Sequence, residues 1–314
     1  MFSLLFILLL PAVTLGRAVP RGVNPLAAAD ERIIGGFISA SNDHPYAVSL
    51  NITVDSGTGL CGGTLISDRV IVTAAHCAID PDLGTTIPAS GMQVGLGSQL
   101  RSKQHYVQAI SVHPNPQFQP PELTGDIALI FIEPVTFGPH IQAAKIFTGH
   151  LGTGTRLTAV GWGMTRPEGG FGSVPDALHE TELVVGSQAD CSQFAPGYKN
   201  ADGPQICTEN KLLKGKDTCQ GDSGTGVFIK VGGQRYLAGL TSYGANLLGD
   251  PTCALDDGFG IYTRVSYFRS FVDSMATVEA KQGVAQNRID GKENDDDSGE
   301  GDGEEEEEGD EEDE

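Results

Sequence analysis

Gly226–Val231, GVFIKV, and Tyr236–Thr241, YLAGLT, are the stretches whose pattern decides the fold of this chain. Each is a short apolar run, and glycines and polar residues fill the interval between them. Branched and aromatic side chains suit an extended backbone, whereas glycine adds nothing for a sheet to pack against and ends the run. The pattern recurs at Tyr46–Val54, Val70–Thr73, Tyr106–Val112, Asp126–Ile132, Arg156–Val160 and Glu182–Val185. Many short strands set apart by Gly, Pro, Asn and Asp predict an all-β barrel or sandwich arrangement. The longest helical candidate is Tyr267–Lys281, where Phe268, Phe271, Val272 and Met275 recur at helical spacing.

This patterned region runs from residue 33 to about 278 of 314, enough sequence for a substantial buried core. Ahead of it, residues 1–18 contain the apolar run Phe2–Leu10, then Pro11 and small residues. That run is too short to span a bilayer and reads as a secretory signal peptide. Residues 19–32 show little periodicity and read as a propeptide. No later apolar run is long enough to cross a membrane, so a secreted, soluble, extracellular product without membrane contact is expected. Residues 279–314 lose their aromatic and aliphatic side chains and read as a disordered acidic tail. Asp290–Glu314 hold 17 acidic residues against Lys292, a charge of −16 out of −21, which leaves −5 for everything before it. Nothing here makes a basic surface for nucleic acid.

Cys61, Cys77, Cys191, Cys207, Cys219 and Cys253 are even in number, as a disulfide framework in an oxidising compartment requires. The residues alone leave their pairing open. No CxxC spacing occurs, so a structural zinc site has little support.

Three segments carry chemistry. In Gly221-Asp222-Ser223-Gly224, flanking glycines leave a serine unobstructed and let backbone amides converge on one point. Acyl transfer needs both an exposed nucleophile and donors aimed where a carbonyl oxygen becomes negative. Thr73-Ala74-Ala75-His76-Cys77 sets a histidine beside small residues and a cysteine at the end of an apolar run. Gly125-Asp126-Ile127-Ala128-Leu129-Ile130 opens on an aspartate too close to apolar sequence to stay solvated, so burial beside a partner is expected.

In that order, together with Ile33-Ile34-Gly35-Gly36, Gly161-Trp162-Gly163, Ser242-Tyr243-Gly244 and Gly260-Ile261-Tyr262, these segments resemble the trypsin-like serine peptidases of the chymotrypsin family. The resemblance covers residues 33 to about 278, which it makes the peptidase domain. It implies two packed six-stranded antiparallel β-barrels with a C-terminal α-helix. It also implies a serine endopeptidase in which Ser223 attacks, His76 is the general base and Asp126 orients His76. The amides of Gly221 and Ser223 would form the oxyanion hole. Asp217 would lie at the base of a pocket for Arg or Lys, flanked by Ser242, Tyr243, Gly244 and Gly260. Cleavage after Arg32 would free Ile33, whose new ammonium would pair with Asp222 and convert a zymogen to its active form. The disulfides implied are Cys61–Cys77, Cys191–Cys207 and Cys219–Cys253.

Protein or peptide substrates and protein protease inhibitors are the expected partners, the chain is expected to be a monomer, and no cofactor or metal is called for. The loop 98–105, where many trypsins hold calcium with acidic residues, is short here and carries Arg101 and Lys103. Asn51-Ile52-Thr53 is an N-glycosylation sequon. Five positions depart from the family pattern. Thr225 and Gly226 replace a usual Gly-Pro, and a β-branched residue there is expected to disturb the backbone behind Ser223. Tyr243 replaces a common Trp. Leu157 and Ile229 stand where many relatives form a disulfide, so an apolar contact is expected instead. The alternative reading is a catalytically weak or silent homologue acting as a binding or regulatory module, and Thr225 is the residue that favours it.

Overall fold

A computed structural model describes residues 34–120, 122–166, 174–275 and 277. The expected signal peptide (1–18), propeptide (19–32) and acidic tail (279–314), with Arg32 and Ile33, lie outside the described residues. The strands are β1 (Phe37–Ile38), β2 (Ala47–Val54), β3 (Gly57–Leu65), β4 (Val70–Thr73), β5 (Met92–Leu96), β6 (His105–Gln108), β7 (Ser111–Pro114) and β8 (Ala128–Phe131). They continue with β9 (Arg156–Gly161), β10 (His179–Val184), β11 (Gln205–Glu209), β12 (Gly226–Val231), β13 (Gln234–Asn246) and β14 (Gly258–Arg264). Helix α1 spans Gln188–Phe194, and after a 3-10 turn at Val265–Phe268 the α-helix α2 covers 269–275.

The strands form two antiparallel sheets, in the orders β6-β5-β2-β3-β4-β8-β7 and β1-β10-β9-β12-β13-β14-β11. Each sheet closes on itself. The end strands β6 and β7 of the first are one run of chain that changes partner: Ala109 N donates to Met92 O, and Ile110 N donates to Phe131 O. The single strand expected over Tyr106–Val112 therefore breaks at its centre, because a strand that closes a barrel must serve two neighbours. In the second sheet Val185 bridges Thr208 and Gly186 N donates to Cys207 O, which joins β10 to β11. The result is two six-stranded barrels, with β1 as an added edge beside β10.

Burial explains which segments became strands. All four residues of β4 (VIVT) and of β8 (ALIF) are buried, and so is every residue of β14. One apolar cluster crosses from the first barrel, through Leu50, Ile71 and Leu129, to Trp162, Phe228 and Leu240 of the second. Phe268 and Val272 anchor the C-terminal segment in it, with Phe271 and Met275 packed against its edge. Burying a Leu, Ile or Phe side chain contributes about 1.5–3 kcal/mol, so this shared core is what holds the barrels together.

One charged contact sits within the seam. His44, ahead of β2 and 3% exposed, has Nε2 2.6 Å from the Glu180 carboxylate of β10 and Nδ1 3.1 Å from the Tyr46 hydroxyl. The hydrogen bond from His44 outweighs burial and holds the Glu180 carboxyl below its ordinary range. A depressed carboxyl stabilises the fold above its unfolded pKa and loses that contribution as pH falls through the folded value. Glu180→Gln should therefore lower stability at pH 7 by about 3 kcal/mol, as expected when one partner of a buried pair is removed. The deficit should begin to shrink as pH falls through about 4, where the carboxyl of the unfolded chain takes up its proton while the folded one, held lower, still resists. Denaturant melts at pH 7 and pH 3 check both statements.

Candidate active site

The segments singled out in the sequence meet at the seam. His76 lies in a 3-10 turn, Ala75–Cys77, that follows β4 directly. Ala74 and Ala75 are fully buried, and the disulfide Cys61–Cys77 ties the turn to β3. Small residues let this turn lie close against the core while the imidazole stays 26% exposed. Asp126, just ahead of β8, has no exposure at all.

The Asp126 carboxylate is satisfied from three directions. His76 N donates to Oδ1 at 2.9 Å, His76 Nδ1 lies 2.8 Å from Oδ2, and the Ser242 hydroxyl donates to Oδ2 at 2.5 Å. Burial alone would resist ionisation, yet the hydrogen bonds and charge of His76, with Ser242, outweigh it and keep the carboxyl below its ordinary range. An ionised carboxylate only accepts, so Nδ1 must carry the proton, and Nε2 is left as the basic nitrogen. Thr263 Oγ1 donates to the Asp126 carbonyl at 2.8 Å. Ser242 was expected only as a pocket residue, and Thr263 was not expected. Both belong to the second barrel, so the aspartate is fixed by strands distant in sequence.

Ser223 sits on the turn between Cys219 and β12. Gly62 N of β3 donates to Ser223 O at 2.8 Å, and Thr73 Oγ1 of β4 donates to Gly62 O at 2.7 Å. The fit is tight enough to require glycine at 224: its φ is +75°, and a Cβ there would lie 2.1 Å from Thr73 Oγ1. Asp222 N donates to Cys219 O, Gly224 N to Thr241 O and Thr225 N to Asp222 O. Among the described residues the amides of Gly221 and Ser223 take no backbone acceptor. Gly221, at φ +94°, adopts a backbone conformation that other residues rarely reach.

The distortion expected at Thr225 does not occur. Its φ lies outside the left-handed region, its hydroxyl donates to Asp222 O at 2.7 Å, and its Oγ1 is 3.1 Å from Thr241 Oγ1. Its methyl group is matched by Gly62, where a Cβ would approach Thr225 Cγ2 to 2.2 Å. Leu157 is buried, and Ile229 packs against the cluster that contains it.

A cavity of 220 Å³ opens beside Ser223, lined by Asp217, Ser242, Tyr243, Gly244 and Cys253 among others. Asp217 is 6% exposed and receives Asn210 Nδ2, Ala254 N and Thr218 N at 2.8–2.9 Å. Burial nevertheless pushes its carboxyl up. Asn210 was not anticipated, since it stands among charged residues in the sequence, yet it is 3% exposed. Gly244 pairs with Gly260 across β13 and β14, which keeps that flank free of side chains. Tyr243 is half-buried, its ring 6.1 Å from Phe194.

Asp222, fully buried, accepts from Gly163 N at 2.7 Å and Cys219 N at 2.9 Å. Burial, with Asp217 nearby, pushes it up to about 7. Its expected partner, the ammonium of Ile33, lies outside the described residues. Disulfides Cys191–Cys207 and Cys219–Cys253 brace α1 against β11 and one wall of the cavity. With Cys61–Cys77 they are the pairs that the resemblance implies. Cys61, His76 and Cys77 lie close enough together to suggest metal ligands, but both sulfurs are spent in a disulfide and offer no thiolate. Asn51 lies partly buried in β2, where Arg101 donates to its side chain at 3.4 Å. Among the described residues no helix is long and apolar enough to cross a membrane.

A family model described as Trypsin matches residues 33–272. "Trypsin beta" of Drosophila erecta is 32% identical over 272 residues, covering 85% of this chain and 97% of that protein. "Serine protease 1" of Rattus norvegicus is 34% identical over 77% of this chain and 89% of its own length. "Trypsin" of Sus scrofa is 33% identical, with 77% and 95% covered.

The bond from Ser242 can be tested on the isolated site. Ser242→Ala should raise the pH at which Asp126 titrates, because one charge-assisted donor is lost while burial is unchanged. Carbon-13 NMR of the side-chain carboxyls reads this directly, and an unmoved titration would mean that the 2.5 Å bond does not hold the charge.

Proposed function

The chain belongs to the trypsin family of serine endopeptidases, and we propose that it cleaves polypeptides after Arg or Lys through Ser223, His76 and Asp126. The observation that carries this reading is the hydrogen-bonded line from Ser242 through Asp126 to His76, beside a cavity that holds both Ser223 and Asp217. Ser223 Oγ attacks the scissile carbonyl, and its proton passes to His76 Nε2. Asp126 stabilises the imidazolium that forms. The carbonyl oxygen, now negative, takes the amide hydrogens of Gly221 and Ser223, donors worth roughly 3 kcal/mol each in comparable sites. The C–N bond then breaks as His76 returns the proton to the leaving amine. Water hydrolyses the acyl-enzyme by the same relay.

Asp217 supports the choice of a basic side chain. Among the described residues no cation offsets its charge, so a guanidinium or ammonium entering the cavity would complete a charge-assisted pair out of water. Secretion as a precursor accords with the three disulfides and the amino-terminal sequence. Protein inhibitors would bind as substrates do, and a monomer suffices for this chemistry. The silent-module alternative loses its support, because Thr225 is accommodated without strain at the backbone.

Protein cut after Arg32 should be labelled at Ser223 by an organophosphonate and should cleave a peptide library after Arg and Lys. Asp217→Ser should lower kcat/KM for Arg and Lys substrates by about 100-fold, equivalent to about 3 kcal/mol, with the fold intact. A retained Arg/Lys preference would reject the pocket assignment, and a correctly cut protein that resists labelling would reject the nucleophile.

Activation makes a second prediction. Uncut Arg32→Gln protein should turn over peptides at about 1% of the cut protein's rate or less, the scale of losing an oxyanion donor. In that uncut protein Asp222 has its folded pKa at about 7, above the unfolded value of 3.8. Stability is then present below the lower value and lost as pH rises towards the higher, by up to about 4 kcal/mol. Adding Asp222→Asn should flatten the slope between pH 4 and pH 7 in denaturant titrations.

A further inference from the structure

The strand that flanks the cavity continues past it with one side open. β12 pairs with β13 only as far as Gly226↔Leu240, whereas β14 follows the other side of β13 to Asn246↔Gly258. Among the described residues no strand covers β13 on the β12 side beyond Thr241. Ser242 and Gly244 of this open stretch line the cavity with Ser223 and Asp217. An extended peptide whose basic side chain fills the cavity can therefore add to this edge as a strand. At about 3.3 Å per residue, four more residues towards its amino terminus bring it level with the end of β13.

What waits there is apolar and held in place. Leu247 is 53% exposed and Leu248 91% exposed. They do not belong to a loose loop, because the turn is built around Asn246, which is 7% exposed. Asn246 Oδ1 accepts from Leu248 N at 2.9 Å and Asp250 N at 3.0 Å, and its Nδ2 donates to Asp257 at 3.3 Å. Its backbone N donates to Asp250 O at 3.1 Å, and Gly249 N donates to Asn246 O at 3.0 Å. Pro251 and Thr252, just past the turn, line the cavity itself. Tyr243 and Ala245 share one face of β13, which ends at Asn246, and Leu247 and Leu248 form the turn that follows. Phe194 adjoins Tyr243 and stacks on Phe259 at 5.2 Å. Beyond the aromatic side of the cavity wall, the turn thus presents two leucines that a polar frame holds out into water.

We infer that Leu247 and Leu248 form a subsite for an apolar side chain at the fourth or fifth residue before the scissile bond. The inference rests on the proposed cleavage after Arg or Lys. Because the turn is already ordered, little conformational freedom is lost when a substrate covers it. The selection is for Leu, Val or Phe in the substrate and against polar residues at the same distance.

The test compares peptides with Arg before the scissile bond and either Leu, Ser or Lys at the fourth and fifth positions ahead of it. Protein cut after Arg32 should favour Leu over Ser by about 10-fold in kcat/KM, about 1.4 kcal/mol. The Leu247→Ser/Leu248→Ser variant should bring that ratio within two-fold. A short arginine ester that ends before the turn should be hydrolysed equally by both proteins. A wild-type ratio near one, a ratio unchanged in the variant, or Lys equal to Leu would each overturn the subsite. Binding of the same peptides to the cut Ser223→Ala protein gives a second readout, in which Leu should bind about 10-fold more tightly than Ser. That contrast upholds or sinks the subsite even if the short ester is not hydrolysed, the outcome that would instead count against the proposed chemistry.

Discussion

A carboxylate shut away from water organises this molecule. Asp126 is fully buried at the seam of two barrels, and its charge survives because His76, Ser242 and Thr263 surround it with donors or support. An unpaired charge at that depth would cost several kcal/mol, so the strands carrying those donors must meet in one register. β4 brings the histidine turn, β13 the serine and β14 the threonine. The apolar cluster shared by both barrels supplies the force that brings them together, and the aspartate makes one arrangement of them better than its neighbours.

Three buried aspartates show how surroundings assign different work to one side chain. Asp126 is held below its ordinary range by internal donors and needs nothing further. Asp217 and Asp222 also accept hydrogen bonds, yet burial wins at both and pushes them up. The difference lies in the His76 side chain, whose hydrogen bond does most to lower Asp126 and which has no counterpart at the other two among the described residues. In the proposed function those two deficits are filled from outside the fold, one by the substrate's basic side chain and the other by a freed amino terminus. Each carboxylate is then a site that becomes comfortable only in the working state.

Much of this was legible in the sequence, and the omissions have physical reasons. β-branched runs located β2, β4 and β12 because their side chains are what the core buries. β3 and β14 escaped because glycine replaces side chains where another backbone or side chain comes close, so GTGLCGGTL and GFGIYTR lack the usual alternation. The catalytic candidates were readable because each sits in a distinctive local context, such as glycine around Ser223 or alanine before His76. Asn210, Thr263 and the His44–Glu180 pair were not, since their roles depend on partners far away in the chain. Thr225 misled for a related reason. Its fit depends on Gly62, more than a hundred and fifty residues earlier.

The seam has a further consequence for how the chain comes into being. His76 and Asp126 belong to the first barrel, while Ser223 and Ser242 belong to the second, which is synthesised later. If the proposed chemistry holds, a nascent or half-folded chain has a base without a nucleophile, or a nucleophile without a base. Partly folded chains are then the ones most easily cut and the ones unable to cut. Under that chemistry, dividing the reactive groups between two halves would protect the cell that makes the enzyme.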